Sequence, residues 1–575
     1  MQYTLSYELP TRHFINVEFS MKNPDQKKQS ICLPFWRPGR YERGDFAKKI
    51  QKFNAYNEGG HKLSFTKSDG HTWEIETNGA KELKLSYNFY ATDLNAGSTY
   101  VDKGFLYVNP VNLCMYPKGK EDEACELKLE TEEGLQVFGS MPSKKGDFYQ
   151  FDSFHSLADT PFFCCEADNV SSLKFEEGGV PYTLHFWGFF ELQSQQILRD
   201  FKKFVRFTVA QFPEQPFEQY QFLFLCMPNR FHHGVEHKNS TVIALGPGHD
   251  LFTSDYDEFL SISCHELYHA WNVKSIRPIE FWPYRYNEES YSNLGYLCEG
   301  VTTYLGNLLL LQSGVWTFES MASVFEKFLD RHFHNFGRFN QSVAQSSFET
   351  WLDGYERGIP DRKVSIYNEG ALITFCVDCI IRKKHGGEKS IHDVMRKLYT
   401  DFYQKGLGVS EQDYWNTIAF FAGDEAHEFA KKYVFEKADY SSAILEAFEY
   451  LGLEFEAVPS HHYHEASLGI RLHKNADGHG WQVTHIYPSS PAEEKGMCVG
   501  DNILSVNEIE ALDDFPKWLK FFESKELHFF VKRNGFVKRL AFRANERIFY
   551  KEYKVSRHPN PSRLQREAYN KWSCK

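Results

Sequence analysis

The sequence of 575 residues predicts a multidomain α+β protein, and three observations support this fold class. Residues 1–165 contain short runs that alternate between apolar and polar side chains, as at Tyr3, Leu5 and Tyr7, with Gly, Asn and Asp turns between them. Helical spacing of apolar residues begins near residue 190 and returns in several later segments. A linker near residues 456–460 then separates the helical part from a C-terminal region.

Composition narrows the possible partners. Charged residues make up 25% and apolar residues 42% of the chain, as is usual for globular proteins. The net charge of −12 is spread without a basic stripe, which argues against nucleic acid as a partner. No apolar run approaches the roughly 20 residues that span a bilayer, and the first residues alternate like a strand instead of forming a secretory signal. The 12 scattered cysteines favour a reduced, cytoplasmic protein.

The elements follow in a clear order along the chain. Residues 1–165 predict an antiparallel β domain. A helix near 190–211 and a strand near 219–226 open the central part, residues 166–456, and further helices are expected near 291–313, 316–335, 368–385 and 390–404. The central part therefore combines a small sheet with a mostly helical second half.

The pentapeptide His265-Glu266-Leu267-Tyr268-His269 has the spacing of a zinc peptidase site. Residues four apart lie on one face of a helix, so His265 and His269 can hold one Zn²⁺. Glu266 can then reach a water at the metal and act as general base. The apolar pattern around the motif predicts an amphipathic helix that ends before Pro278. The alternative is a surface helix that carries two histidines.

A catalytic zinc needs three protein ligands and one open position. Glu299, 30 residues after His269, is the best candidate for the third ligand. Its neighbours are apolar and helical in pattern, and an unpaired carboxylate is costly to bury there. Glu288 and Glu289 are rivals, but their surroundings are typical of an exposed turn. The alternative for Glu299 is a buried salt bridge. We expect one Zn²⁺ per chain, bound by this carboxylate and the two histidines.

Two segments beyond the linker, 467–472 and 488–507, resemble those of a PDZ domain that spans about 462–545. In such domains the turn formed here by Leu468, Gly469 and Ile470 presents backbone N–H groups to a peptide C-terminus, and the peptide adds a strand to the sheet edge. The alternative is a PDZ fold that serves as a packing unit with an unused groove. Residues 546–575 are expected to form a C-terminal extension.

Together these motifs resemble the glycyl aminopeptidases, a gluzincin family of zinc metallopeptidases distantly related to aminopeptidase N. The resemblance covers nearly the whole chain, through segments 33–41, 265–278, 299–304 and the PDZ segment. It implies an N-terminal β domain, a thermolysin-like catalytic domain with a helical C-terminal part, and a PDZ domain, in that order.

Two further roles follow only from the resemblance. The segment that contains Gly234 and Glu236 is similar to a Gly-Leu-Glu-His segment of the family, which implies that Glu236 binds the free α-amine of the substrate. Tyr367 resembles a tyrosine whose hydroxyl hydrogen-bonds the oxyanion of the tetrahedral intermediate. Glu369 stands where the family has Lys, and His233 stands where it usually has Gly. These departures bear on the substrate pocket and its side-chain preference.

We therefore expect a zinc-dependent aminopeptidase acting on peptides with a free N-terminus, and the family's name implies small first residues such as Gly or Ala. Two other function classes remain open from the sequence. A zinc endopeptidase would use the PDZ domain to recruit polypeptide C-termini, and it would cut acetylated peptides, which an aminopeptidase leaves intact. A non-catalytic peptide-binding protein would keep zinc for structure, but the presence of Glu266 argues against it.

Overall fold

The computed structural model describes residues 1–355, 358–475 and 478–575. Its N-terminal region is built almost entirely of strands. Alternation along the strands buries one face, as at Tyr3, Leu5, Val17 and Phe19. Its elements are β1 (Gln2–Ser6), β2 (Phe14–Lys22), β3 (Lys28–Cys32), β4 (Ile50–Asn57), β5 (Phe65–Lys67), β6 (Thr72–Glu76), β7 (Glu82–Tyr90), β8 (Tyr100–Asp102), β9 (Phe105–Val108), β10 (Tyr116–Pro117), β11 (Cys125–Glu130), β12 (Gln136–Phe138), β13 (Lys144–Lys145), β14 (Phe148–Phe151), α1 (Phe154–Ala158) and β15 (Phe162–Cys165).

These strands form a seven-stranded sheet in the order β13-β14-β11-β1-β2-β7-β4 and two four-stranded sheets, β10-β3-β6-β5 and β12-β15-β9-β8. All the pairs are antiparallel except β1 with β11, where Tyr3 lies opposite Leu127. This parallel pair departs from the antiparallel pattern expected for the region. The first strand is placed between β2 and β11 because its apolar face completes the buried layer of the sheet.

The central region opens on a five-stranded sheet in the order β16-β17-β18-β20-β19. Strands β18 and β20 are buried along nearly their whole length, as expected for the middle of a parallel sheet, whereas β19 is an edge strand antiparallel to β20. The elements are β16 (Val170–Glu177), β17 (Val180–Gly188), α2 (Ser194–Val209), β18 (Tyr220–Cys226), β19 (Phe231–Glu236), β20 (Ser240–Gly246) and α3 (Tyr256–Tyr268).

The helical half packs against this sheet and shares one hydrophobic core with it. None of the helices in the described residues is long and apolar enough to cross a membrane. After α3 come a π-helical turn (Tyr296–Val301), α4 (Thr302–Gln312), α5 (Phe318–His334), α6 (Val343–Phe348), α7 (Thr350–Asp353), α8 (Ile366–Lys384), α9 (Ile391–Asp401), α10 (Glu411–Ala422), α11 (Glu425–Ala430), a second π-helical turn (Lys431–Phe435) and α12 (Ser441–Tyr450).

The C-terminal region leaves this core and later returns to it. Strand β21 (Leu453–Pro459) pairs with β28 (Lys551–Arg557), so the segment between them is held at both ends. That segment contains α13 (Tyr463–Ala466), β22 (Ile470–Lys474), β23 (Trp481–Ile486), α14 (Pro491–Glu494), β24 (Asn502–Val506), β25 (Ile509–Glu510), α15 (Phe515–Phe521), β26 (Leu527–Arg533) and β27 (Phe536–Phe542). The last helix, α16 (Arg563–Ser573), buries Trp572, whose indole N–H donates to the Tyr304 hydroxyl at 2.9 Å. The predicted multidomain α+β fold class is confirmed.

Candidate active site and metal centre

The two histidines of the zinc motif lie at the end of α3, which packs against the edge strand β19. Helix α3 ends at Tyr268, and the backbone N–H of His269 still donates to the carbonyl of His265 at 3.2 Å. The Nε2 atoms of the two imidazoles are 3.0 Å apart. Nδ1–H of His269 donates to the carbonyl of Asn272 at 2.8 Å. This bond fixes the ring and leaves Nε2 free to bind a cation.

Glu299 approaches these histidines from the π-helical turn Tyr296–Val301. Its Oε2 lies 3.5 Å from His265 Nε2 and 3.4 Å from His269 Nε2. Burial alone would raise the pKa of Glu299, but the two imidazoles lower it to about 2, so the side chain is a carboxylate. The π-helical turn that carries Glu299 is itself informative, because π-helical turns are rare and frequently occur at functional sites.

The donor set and spacing of these three side chains fit a zinc ion. Bond lengths of about 2.0–2.2 Å to N and O place ligand atoms of a tetrahedral site roughly 3.3–3.6 Å apart, which agrees with the 3.4 Å and 3.5 Å from Glu299 to the imidazoles, whereas the imidazole nitrogens are closer, at 3.0 Å. Burial lowers the pKa of His265 to about 4, which keeps that imidazole neutral and able to ligate. Burial also acts to lower the pKa of His269, but Glu299 and Glu236 outweigh it and raise the value to about 10. The carboxylates around His269 therefore favour a positive charge at this site, which a divalent cation would supply.

Asn272 joins the motif to the π-helical turn. Its Nδ2 donates to the carbonyl of Leu297 at 2.8 Å and to the hydroxyl of Thr302 at 2.9 Å. The next residue, Val273, has a φ of 135°, which a β-branched side chain rarely adopts. This backbone conformation lets the N–H of Lys274 donate to the carbonyl of His269, just after α3, at 3.0 Å. The loop after the motif is thus tied to both elements that carry the candidate ligands.

Glu266 points into the same cluster. Its side chain is 5% exposed, and Oε2 has no hydrogen-bond partner among the described residues. Gly234 on β19 makes room for it, because a Cβ at that position would overlap the carboxylate. Burial raises the pKa of Glu266 well above its usual value, and Glu236 and Glu299 add to the rise against His269. A raised pKa makes this carboxylate a stronger proton acceptor.

Glu236 lies at the end of β19 and is 3% exposed. A carboxylate oxygen of Glu236 lies within 4.8 Å of a carboxylate oxygen of Glu266 and of a ring nitrogen of His269, and these two atoms also lie within 4.8 Å of each other. Gly39, from the N-terminal region, touches Glu236 so closely that a Cβ there would overlap it. Oε1 of Glu236 has no hydrogen-bond partner among the residues described. A buried acceptor of this kind is suited to a cationic donor such as an ammonium group.

A buried ion network supports the end of β19. Asp159 lies 2.9 Å from Lys274 Nζ and accepts from His237 Nδ1 at 3.0 Å and from the Lys238 N–H at 3.0 Å. Burial alone would raise the pKa of Asp159, but Lys274 and His237 bring it well below the usual value. The network joins the N-terminal region, the end of β19 and the loop after α3, and so fixes the backbone just after Glu236.

Tyr367, the second residue of α8, lies beside the candidate ligands, with its ring centroid 6.3 Å from that of His265. Gly300 and Gly370 allow this approach, because a Cβ on either would overlap the other's backbone. Burial, and then Glu299, raises the pKa of Tyr367 well above its usual value. The phenol stays protonated at neutral pH and can donate a hydrogen bond.

The two departures from the family pattern differ in location. Glu369 points toward α5 and α12, where it accepts from His332 Nδ1 at 2.8 Å and from the Tyr440 hydroxyl, so it belongs to a separate buried cluster. His233 lies on β19 near the N-terminal region. Burial, followed by the charges of Arg37 and Arg40, lowers the pKa of His233 to about 3. Only the second departure therefore lies on the strand that carries Gly234 and Glu236.

In the predicted carboxylate-binding turn, Leu468 and Gly469 lie between α13 and β22, and Ile470 is the first residue of β22. Gly469 has a φ of +71°, and its carbonyl accepts from the N–H of Tyr487 at 2.8 Å. The side chains of Leu468 and Ile470 are buried in the core of this small domain. The short helix α13, from Tyr463, packs against both α15 and β22, the elements that border the groove of a PDZ domain.

The structure adds residues that the sequence did not single out. Arg37 and Gly39 lie in the 33–41 segment, and Lys274 lies in the extended zinc motif, so each belongs to a segment that carried the resemblance. Asp159 has no local sequence signal, because its partners come from residues far along the chain.

Comparisons with known proteins agree with this architecture. The Peptidase M61 N-terminal domain matches residues 2–166, the M61 glycyl aminopeptidase domain matches residues 258–373, and a PDZ domain matches residues 460–517. No curated protein matches the chain.

Solved structures give a similar result. An aminopeptidase N family protein from Idiomarina loihiensis superposes with a TM-score of 0.90 at 25% identity, covering 99% of each chain. An M1 zinc metallopeptidase from Deinococcus radiodurans gives a TM-score of 0.49 at 12% identity, covering 76% of this chain and 94% of its own.

Proposed function

We propose that this chain, a zinc aminopeptidase of the M61 glycyl aminopeptidase family with a PDZ domain, hydrolyses the amino-terminal peptide bond of peptides through a water activated at the metal. One observation carries the proposal: two buried carboxylates without hydrogen-bond partners, Glu236 and Glu266, flank the histidine pair and Glu299. One carboxylate suits a substrate ammonium and the other a proton transfer, which are the two needs of an aminopeptidase.

His265, His269 and Glu299 would hold the zinc. When bound, Zn²⁺ supplies a Lewis acid that polarises the scissile carbonyl and makes a water acidic near neutral pH. Glu266 would take the proton of that water and pass it to the leaving amine, a role its raised pKa supports. Tyr367 would donate a hydrogen bond to the oxyanion from its protonated phenol.

Substrate registration would rest on the edge strand. β19 is the outer strand of the five-stranded sheet, and an extended peptide can pair with such an edge. Glu236, at the end of this strand, would then bind the free ammonium and bring the first peptide bond to the metal site. Gly234 would let the peptide and Glu266 approach each other, since it has no side chain between them.

The side-chain preference and the PDZ domain concern the finer specificity. The family's name supports Gly or Ala as the first residue, and no described side chain selects for them. The PDZ domain supports a further contact with peptide C-termini at Leu468, Gly469 and Ile470, with a purely structural domain as the alternative. Binding of a fluorescent peptide with a free or an amidated C-terminus distinguishes the two, because only the free carboxylate suits this turn.

Hydrolysis of free and N-acetylated aminoacyl-nitroanilides, with zinc analysis of the same protein, tests the main proposal. We expect cleavage of the free substrates only, and a loss of roughly 10³-fold in kcat in Glu266→Gln with zinc retained. Cleavage of acetylated peptides would instead favour an endopeptidase. Full activity in Glu266→Gln would refute the mechanism.

A further inference from the structure

Arg37 is a buried cation that forms no ion pair among the described residues, although the charge of Glu236 acts on it from a longer distance. It lies after β3, is 5% exposed, and its guanidinium packs so closely on Gly97 that a Cβ there would overlap it. Nη1 has no hydrogen-bond partner in the described part of the chain. Burial, and then the charge of Arg40, lowers the pKa of Arg37. A desolvated, unpaired donor is costly, which makes this side chain unusual.

Its neighbours in the same loop are paired in the ordinary way. Arg40 forms an ion pair with Glu42 and lies over the ring of Tyr355 at 5.6 Å. Arg43 lies 3.1 Å from Asp45 at the surface. The loop therefore provides carboxylates for its exposed arginines and none, among the described residues, within ion-pair distance of its buried one.

The loop also borders the candidate substrate site. Gly39, two residues after Arg37, contacts the Glu236 carboxylate directly. The charges of Arg37 and Glu236 act on each other, since Glu236 opposes the burial that lowers the pKa of Arg37, and Arg37 lowers the pKa of His233 on β19 after burial. The guanidinium is thus close to the place where the first residue of a substrate would lie.

Two buried groups of opposite charge lie near this place, and each has an atom without a hydrogen-bond partner among the described residues. Oε1 of Glu236 is a buried acceptor and Nη1 of Arg37 is a buried donor, and neither has a partner among the described residues. An amino acid with an acidic side chain carries the matching pair, an α-ammonium and a carboxylate separated by a few bonds. A neutral first residue would satisfy only Glu236 and would leave Arg37 desolvated and unpaired.

We propose that Arg37 receives the side-chain carboxylate of the first substrate residue, so that the enzyme prefers peptides that begin with Asp or Glu. This rests on the aminopeptidase function proposed above. His233 is compatible with this role, because a neutral imidazole at the pocket edge leaves the carboxylate to the guanidinium.

The test compares isosteric substrates. kcat/KM is measured for Glu-, Gln-, Asp-, Asn- and Ala-nitroanilides with the zinc-loaded full chain, with Arg37→Met and with Arg43→Met as the matched control. We expect the native enzyme to favour Glu over Gln and Asp over Asn by at least about tenfold. Arg37→Met brings both ratios near one, and Arg43→Met, which removes an exposed charge from the same loop, keeps the native ratios.

The ratios are taken within each protein, so a general loss of activity does not affect them. A native ratio near one overturns the proposal, as does a ratio that Arg37→Met leaves unchanged. If Arg37→Met does not fold, inhibition of the native enzyme by L-glutamate and by L-glutamine decides, and equal inhibition overturns the proposal. Hydrolysis of Ala-nitroanilide without acidic preference refutes only the role of Arg37, whereas no hydrolysis of any free substrate refutes the aminopeptidase itself.

Discussion

Two buried clusters of histidine and glutamate lie on the helical half, and they differ in what they leave unpaired. In the Glu369 cluster, the carboxylate of Glu369 accepts from His332, Tyr440 and Asn368. In the candidate metal cluster, His265, His269 and Glu299 bring acceptor atoms together, and two carboxylates nearby, those of Glu236 and Glu266, each have a buried oxygen with no donor among the described residues. The two clusters are alike in burial and composition, and they differ in whether their carboxylates have hydrogen-bond donors.

The difference shows how to separate a structural cluster from a functional one. A buried carboxylate whose oxygens all accept hydrogen bonds already has its charge compensated, so nothing further is needed there. A group of acceptors that converge without donors keeps its charge uncompensated, and the missing positive charge must come from outside the chain. The first arrangement stabilises the fold, and the second points to a cation and a substrate.

The largest expected effect separates the clusters by metal content. Glu299→Gln removes one candidate ligand charge and should lower zinc occupancy and reduce kcat/KM by roughly 10³-fold or more. Metal analysis and nitroanilide hydrolysis check this, and a chelator should have the same effect on the native enzyme. Glu369→Gln is the matched control and should keep its zinc. A zinc-free Glu369→Gln variant would contradict the distinction.

A second comparison uses the tyrosine of each cluster. Tyr367→Phe should lower kcat by roughly 10²-fold with little change in KM, because the hydroxyl acts on the oxyanion and not on the bound substrate. Tyr440→Phe should change kcat by less than about threefold, since Tyr440 donates to Glu369. Steady-state kinetics of both variants check this. Equal effects on kcat would remove the proposed role of Tyr367.

The free energy of unfolding should show the opposite order from activity, because the Glu369 cluster should matter for stability. Glu369→Gln weakens a buried pair with His332 and should lower the free energy of unfolding by about 2–4 kcal/mol. Urea or thermal unfolding, followed at neutral pH with zinc present, measures this. A variant as stable as the native protein would show that the Glu369 cluster does not hold α8 to α5.

The smallest expected effect is the pH dependence of the difference in stability between the native protein and Glu369→Gln. Burial alone would raise the pKa of Glu369, but His332 and Tyr440 bring it below its usual value. Its contribution to stability is therefore complete above the unfolded pKa, about 4.3, and is lost as the pH falls through the folded pKa. The stability gap between the native protein and Glu369→Gln should shrink below about pH 4.

In the candidate metal cluster, the contribution of Glu266 to stability should depend on pH with the opposite sign from that of Glu369. The raised pKa of Glu266 makes its ionised form a cost at neutral pH, so chelator-treated Glu266→Gln should be more stable at pH 7 than chelator-treated native protein. Unfolding of both proteins at pH 5 and pH 7 measures this, and the difference should grow with pH. A native protein more stable than the variant at pH 7 would contradict it.

Much of the fold was predictable because its signals are local. Alternating residues marked the β-rich start, and apolar spacing marked helices that correspond to α2, α5, α8 and α9. Ser254 and Asp257 have the spacing of a capping box in the sequence, and this prediction was wrong, since the helix begins at Tyr256 and Asp255 makes no side-chain cap bond. That error is small because a cap depends on one rotamer, which a sequence pattern does not determine.

The sequence by itself determined the chemistry of the centre, since His265, Glu266 and His269 are fixed by a four-residue spacing on one helix. Only the tertiary structure decided the rest. The contact of Gly300 with Gly370 brings Tyr367 to Glu299, and β19 carries Glu236 against the loop that contains Arg37. These pairs are far apart in sequence, and their meeting depends on packing, hydrogen bonding and buried charge over the whole molecule. For that reason the candidate metal site could be predicted from the sequence, whereas the proposed substrate site required the fold.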